Sequence, residues 1–309
     1  MVIGIDNGNA NTKTVHCVFT SGLTEHDVQP AIGNEVLKWN GKYYTLSEKR
    51  MPYARDKTKD NNCFVLTLFA IAKEILAADT YEEHVDVNLA VGLPPEHYGL
   101  QREKFASYFK KFGETIQFTL DNKPFDITIK TVSVYPQAYA AIANKASALK
   151  AYSTSYIIDI GGYTTDVLLL RNGKPDLSCC MTLENGIITM NNNISHRINT
   201  SFGLKIEDNH VRDVLEGKKT SLDHAVNAEA KQMVFDLCKT HAKKLLDELR
   251  ENGIDLRVNP AFFVGGGSTL LREYIENSGM VTDVEFIPDV SANALGYTIF
   301  ATAELRKKG

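Results

Sequence analysis

The chain opens on a pattern that it uses again near its middle. Val2-Ile3-Gly4-Ile5-Asp6-Asn7-Gly8-Asn9-Ala10-Asn11-Thr12-Lys13 and Ile157-Ile158-Asp159-Ile160-Gly161-Gly162-Tyr163-Thr164-Thr165-Asp166 share one plan: an apolar strand, an aspartate, a glycine-rich turn with Asn or Thr, and a second strand. A β-branched run ending in Asp-x-Gly suits a buried strand that reverses tightly, because glycine permits positive φ and leaves backbone N–H groups uncovered. Uncovered N–H groups in a concave turn make an anion nest, and Thr hydroxyls add donors. An aspartate at the strand end supplies a hard oxygen ligand for Mg²⁺ or its waters. One such hairpin is ordinary structure in many folds. A duplicated pair can clamp one polyphosphate from both sides.

The rest of the chain bounds what such a clamp can belong to. At 309 residues there is room for two domains, each with its own core. A hydrophobic fraction of 43% with 23% charged residues describes a soluble globular protein. The net charge of −4 argues against a general polyanion-binding surface, so contact with nucleic acid is expected only through another protein. The 5 cysteines are odd in number, show no CxxC pair and include adjacent Cys179-Cys180, which suits free or buried thiols in a reducing cytosol. Asp6 interrupts the first apolar run, so no signal-peptide core forms there, and the apolar stretch over 63–72 stops at Lys73, too short to span a bilayer. A complete, cytoplasmic chain with no membrane contact is the expectation.

Along the first half, strands are expected over 2–5, 12–20 and 23–29, with Ser21-Gly22 as a hairpin turn. Residues 31–62 read as a small inserted subdomain, with Asn40-Gly41 as its turn and a charged loop, Arg55-Asp56-Lys57-Thr58-Lys59-Asp60, that looks solvated. Asn61-Asn62 are expected to cap a buried helix over 63–78. A strand over 85–91, a helix over 100–112, a hairpin over 115–134 and a small-residue helix over 138–149 follow, completing a first domain of residues 1–150. The second, 151–309, restarts the order with strands over 156–159, 165–171 and 177–183. Helices are then expected over 188–202, 206–215 and 228–250, a strand over 260–264 leads into Gly265-Gly266-Gly267-Ser268, and a last helix over 291–305 packs back toward the first domain. This is an α/β chain with a duplicated βββαβα plan and a cleft between the halves.

Five pieces stand in order: Asp6-Asn7-Gly8 with Lys13; Tyr135-Pro136-Gln137-Ala138; Asp159-Ile160-Gly161-Gly162; Gly265-Gly266-Gly267-Ser268; and Asn293-Ala294-x-Gly296. With them the chain resembles, over nearly its whole length, the actin, sugar-kinase and heat-shock-chaperone ATPase superfamily, which has an actin-like (ribonuclease H-like) fold. Within it, Gly92-Leu93-Pro94, the small insertion and the hairpin leading into Pro136-Gln137 are most similar to the prokaryotic actin-like group, the plasmid-segregating ParM/StbA family and its archaeal relatives.

The resemblance implies roles. Asp6 and Asp159 would hold Mg²⁺ largely through water and, with Gln137, form the catalytic set. Gly8, Asn9, Asn11, Gly161, Gly162, Thr164 and Thr165 would donate to the β- and γ-phosphates of ATP, with GTP as the alternative nucleotide. Lys13 would place a point charge on the phosphates, although alone it reads as a solvated strand residue. Gln137 both donates and accepts, so it suits orienting the attacking water, although alone it reads as an ordinary helix start. Other members carry Glu there, and the consequence for hydrolysis stays open. Gly265, Gly266, Gly267 and Ser268 would let the base and ribose approach the backbone at a helix N-terminus, and Gly186 likewise. Asp166 suits either support of the metal site or turn capping.

The expected function is therefore a filament-forming ATPase that polymerises head to tail with ATP and Mg²⁺ and drives plasmid segregation through an adaptor bound to centromere-like DNA. The alternative is a small-molecule kinase or phosphatase of the same superfamily. No second acid–base and substrate constellation is visible for the latter, and a chaperone-like switch lacks its substrate domain.

Overall fold

The computed structural model describes residues 1–31, 35–78, 82, 84–145 and 150–308. In chain order it builds β1 (Val2–Asn7), β2 (Asn11–Lys13), β3 (Val18–Thr20), β4 (Leu23–His26), β5 (Val36–Trp39), β6 (Lys42–Leu46), α1 (Asn62–Ala77), β7 (His84–Leu93), α2 (Pro95–Lys110), β8 (Thr115–Leu120) and β9 (Lys123–Pro136), then a 3-10 turn (Ala140–Lys145). The second half follows with β10 (Thr154–Ile160), β11 (Thr165–Arg171), β12 (Lys174–Leu183), α3 (Ile187–Phe202), α4 (Asp208–Leu215), α5 (Ala228–Glu251), β13 (Ala261–Val264), α6 (Gly266–Glu276), β14 (Val284–Phe286) and α7 (Ala292–Lys308). These group into two compact units, Met1–Ala146 with Val290–Gly309, and Ser147–Asp289.

The same sheet core occurs in each unit. In the first, β3, β2 and β1 run antiparallel, and β1, β7 and β9 run parallel. In the second, β12, β11 and β10 run antiparallel, and β10, β13 and β14 run parallel. Parallel strands need both faces covered, and their sequences read as unbroken apolar runs for that reason. In the first unit α1 covers one face with Phe64, Leu68, Phe69 and Ile71, all fully buried. The other face takes α7, which approaches so closely that a Cβ at Gly4 would meet the Ala294 carbonyl oxygen at 2.1 Å. Burying each such Phe or Leu contributes about 1.5–3 kcal/mol. In the second unit the core is Ile158, Ile160, Ile194, Ile198, Val234, Leu245 and Phe263. The duplicated actin-like plan is thus present, with one further parallel strand per unit.

Several local expectations need correction. The expected strand over 12–20 is two strands, because the turn between them is built by side chains: Cys17 N donates to Thr14 Oγ1, and buried Glu74 of α1 accepts from Thr14 Oγ1 and His16 N. Ser21-Gly22 is not a hairpin turn, since β4 leaves β3 and pairs with β6. The inserted segment joins the main sheet: β5 pairs with β8, so that β4–β6 extend the first sheet to 9 strands among the described residues. Its residues 32–34 lie outside the described residues.

Helix α1 is capped by Asp60, whose Oδ1 accepts from Asn62 N at 2.9 Å, while the Asn61 side chain caps nothing. Helix α2 begins at Pro95, a residue suited to a first helical turn, well before the expected start. The helix expected over 138–149 is a 3-10 turn over Ala140–Lys145, because Ala138 adopts φ +65° and sends its N–H to Asn293 Oδ1 instead of along a helix; residues 146–149 lie outside the described residues. All 5 cysteines are free thiols, and among the described residues no helix is long and apolar enough to cross a membrane.

Candidate functional site

The two hairpins have the same register. Asp6 opposes Lys13 and Asn7 opposes Thr12 in the first unit; Asp159 opposes Asp166 and Ile160 opposes Thr165 in the second. Residues 8–11 and 161–164 therefore form turns of equal length. Directly opposed residues share a face of the sheet, so Lys13 lies on the Asp6 side of its hairpin. Asp6 is 5% exposed and Asp159 is 9% exposed, each at the end of a central strand.

Glycine serves the turns by its size more than by its φ. Neither Gly8, Gly161 nor Gly162 has a positive φ, but a Cβ at Gly8 would meet the Asn11 carbonyl oxygen at 2.5 Å. Gly161 N donates across its own turn to Thr164 O at 2.8 Å. Gly265 is different: its φ is +84°, and a Cβ there would lie 2.3 Å from Asp159 Oδ1. A side chain at 265 would displace the carboxylate that the sequence singles out.

Around Asp6 the first unit brings several expected residues together. Gln137 is 9% exposed, its N donates to Leu93 O at 2.8 Å, and its Nε2 donates to Asp6 Oδ1 at 3.1 Å. Asn9 Oδ1 accepts from Ala54 N at 3.3 Å, and Asn11 opens β2. Asn7, to which the sequence assigned no role, turns to the opposite face, where its Nδ2 donates to Thr67 Oγ1 at 3.0 Å. Its Oδ1 is buried with no partner. Asn293 of α7 caps the backbone after Gln137 and so fixes the loop that carries it.

In the second unit the start of α3 is sewn to the hairpin turn. Gly186 N donates to Tyr163 O, Ile187 N to Gly161 O and Ile188 N to Gly162 O. A Cβ at Gly186 would lie 2.4 Å from the Gly162 carbonyl oxygen, so Gly186 is required for this contact. Helix α6 starts beside the same strand end, and its first N–H groups, including those of Gly266 and Gly267, have no intrahelical acceptor. Strand end, glycine turn and the start of α6 converge here, and the α6 start is the end that favours an anion, since the first N–H groups of α3 are spent on the turn carbonyls.

Three residues singled out in the sequence make contacts within the unit. Thr165 is fully buried and donates its hydroxyl to Asn185 O, as Thr12, its counterpart, bonds Ser21 Oγ at 3.0 Å. Ser268 is also fully buried and returns its hydroxyl to Gly265 O at 2.7 Å. Gly267 is a packing residue, since a Cβ there would strike the Ile160 and Ile187 side chains. Asp166 accepts the Thr182 hydroxyl at 2.6 Å and so braces β11 to β12. Asn185 is held from behind by α5, where burial pushes the His241 imidazole down to about 4 against the raising effect of its bond to the Asn185 backbone.

The donor set fits a Mg–nucleotide. Among the described residues no group of three His, Cys, Asp or Glu side chains could hold a metal; by itself each hairpin presents one buried carboxylate, Asp6 in the first unit and Asp159 in the second, a hard oxygen donor of the kind Mg²⁺ takes beside its waters. The first N–H groups of α6, with no intrahelical acceptor, offer backbone donors to a phosphate, and the close approaches that a Cβ would block at positions 8, 186 and 265 fix the shape of the turns.

Residues 4–139 match the family model for the N-terminal domain of actin-like proteins, and residues 157–277 match that for the C-terminal domain of the archaeal MreB-like actin homologue. The fold is similar to that of Ta0583, an archaeal actin homologue, with a TM-score of 0.79 at 20% identity over 98% of this chain and 99% of that one. It is also similar to psk41 ParM (TM-score 0.72, 16% identity, 99% and 98% covered) and to AlfA (0.65, 17%, 100% and 98%). No curated protein matches the chain in sequence. With actin-like family models over 4–139 and 157–277, most of each unit, the chain belongs to the prokaryotic actin-like proteins.

Proposed function

We propose that this chain is a cytomotive ATPase, which binds ATP with Mg²⁺, stacks head to tail into filaments and loses filament stability on hydrolysis. The observation that carries this is the pair of hairpins in equal register, each ending a central strand with a buried aspartate before a glycine turn. Asp6 and Asp159 would hold the waters of Mg²⁺, the turns at 8–11 and 161–164 would take the phosphates, and Lys13 would add charge. Gly186, Gly265 and Gly266 would admit the nucleoside to the backbone. Bound Mg²⁺ supplies neutralisation of the charge that develops on the transferred phosphoryl group. Gln137, already on Asp6, orients water.

Support comes from two relatives: Ta0583 is solved in complex with ADP, and AlfA as a filament bound to AMPPNP. The cargo would be plasmid DNA reached through an adaptor on a centromere-like site, because a net charge of −4 disfavours direct binding.

Asp159→Ala tests the site. Phosphate release should fall by about 100-fold or more, the scale of losing a group that organises transition-state charge, while thermal melting stays close to wild type. Wild-type turnover at saturating Mg²⁺ would remove Asp159 from the site. Turnover that appears only when a small metabolite is added would mark a kinase.

A further inference from the structure

The charged loop before α1 is not a free surface loop. Asp56 accepts from Lys104 Nζ at 2.6 Å, Thr58 Oγ1 at 2.7 Å and Thr58 N at 3.1 Å, which in that order of effect hold its carboxyl down to about 2. Asp60 caps α1 through Oδ1, and its carbonyl accepts from Tyr108 OH, which in turn accepts from Phe64 N. The loop is thus pinned at both ends to α1 and α2. It also lies along the first glycine turn, with Ala54 N, just before the first pin, on Asn9 Oδ1 and Lys57 Nζ, between the pins, on the carbonyl of Asn7.

That second contact puts an ammonium on the backbone between Asp6 and Gly8. A lysine is a compact charge on a flexible stem, with three N–H donors that can follow an anion as it arrives. Its charge is also felt at the start of α1: burial pushes the Cys63 thiol up to about 12, and Lys57 is the first influence opposing that rise. Lys13 reaches the same hairpin from the opposite strand, on the Asp6 face. The turn at 8–11 is therefore approached by a cation from its own β2 strand and by a second from a loop some fifty residues away in sequence.

We propose that Lys57 is a second phosphate-positioning cation, holding the Asp6-Asn7-Gly8 turn in shape and adding its charge to nucleotide binding there. This rests on the nucleotide-binding function proposed above, and it deepens it by linking the inserted segment directly to the phosphate turn.

The test is calorimetric titration of AMPPNP and of ADP, each at low and high ionic strength, with protein kept below the concentration at which it scatters light. Lys57→Met should weaken binding at least about tenfold, the worth of one hydrogen bond to a charged group, and flatten the salt dependence. Lys57→Arg should restore both. Lys59→Met, an equal loss of charge at an exposed position in the same loop, should leave both unchanged. Wild-type affinity in Lys57→Met overturns the inference. So does weakening in Lys57→Met with an unchanged salt dependence and no rescue by Arg, since a strut lost for shape alone would behave that way. A wild-type chain that binds neither nucleotide is a separate result, which removes the parent function and this inference together.

Discussion

At the scale of single residues, Gln137 shows how a side chain is matched by its surroundings. Its Nε2 donates to Asp6 Oδ1 at 3.1 Å, a bond that a glutamate carboxylate at 137, with no N–H to donate, would lose. The amide holds the carboxylate in place and keeps its Oε1 as an acceptor for water. Gln137→Ala should then lower kcat by about 10–100-fold while nucleotide affinity changes by less than about threefold, since water is oriented in the transition state and not on binding. Single-turnover hydrolysis together with a titration of AMPPNP separates the two. Equal loss in both would make Gln137 a support for Asp6 alone. The same scale shows where sequence is weakest. Thr164 and Thr165 look alike on paper, but the hydroxyl of Thr165 is spent on Asn185 O, a choice of partner that only packing decides. Lys57 looked like part of a solvated run because nothing local reveals that its loop folds back onto Asn7.

Elements were legible where the pattern is local and strong. The strands bearing Asp6 and Asp159, helix α1, the β8–β9 hairpin with its positive-φ Asp121-Asn122 turn, and α5 follow from apolar periodicity and turn chemistry. They were illegible where a distant residue makes the boundary. Glu74, sixty residues on, divides β2 from β3, and Asn293, from the far end of the chain, diverts the backbone at Ala138. Strand β14 spans only Val284–Phe286, too short to show alternation. The glycines of α7 and the strands beneath it carry a sharper signal than their spacing suggests. A Cβ at Gly296 would lie 1.9 Å from the Ala140 carbonyl oxygen, and that oxygen is backbone, unable to swing aside. Gly296→Ala should cost more than about 3 kcal/mol, beyond the usual range for overpacking, read as a lower denaturation midpoint in urea. A midpoint equal to wild type would mean that α7 can shift freely on the 3-10 turn, contrary to the contact seen.

For the whole molecule, what matters is how copies of the chain meet. A head-to-tail contact is heterologous and does not close, so one pair of complementary ends is enough to make a filament. In the loop over 55–60, Asp56 and Lys57 are committed inside the unit and Asp60 caps α1, which leaves Arg55 and Lys59 exposed for a neighbour. Reversing both to Glu should raise the critical concentration several-fold, within the range of about 1–3 kcal/mol that charge reversal at a contact costs, without changing nucleotide affinity. The most direct test is sedimentation of the wild-type chain with Mg–ATP, with AMPPNP, with ADP and with no nucleotide. A contact worth about 8 kcal/mol gives a critical concentration near 1 µM, so protein at about 1–50 µM brackets the transition. The chain should pellet with Mg–ATP, persist in the pellet with AMPPNP, and return to the supernatant as ATP becomes ADP. A chain that stays monomeric throughout that range with Mg–ATP bound contradicts the filament-forming function.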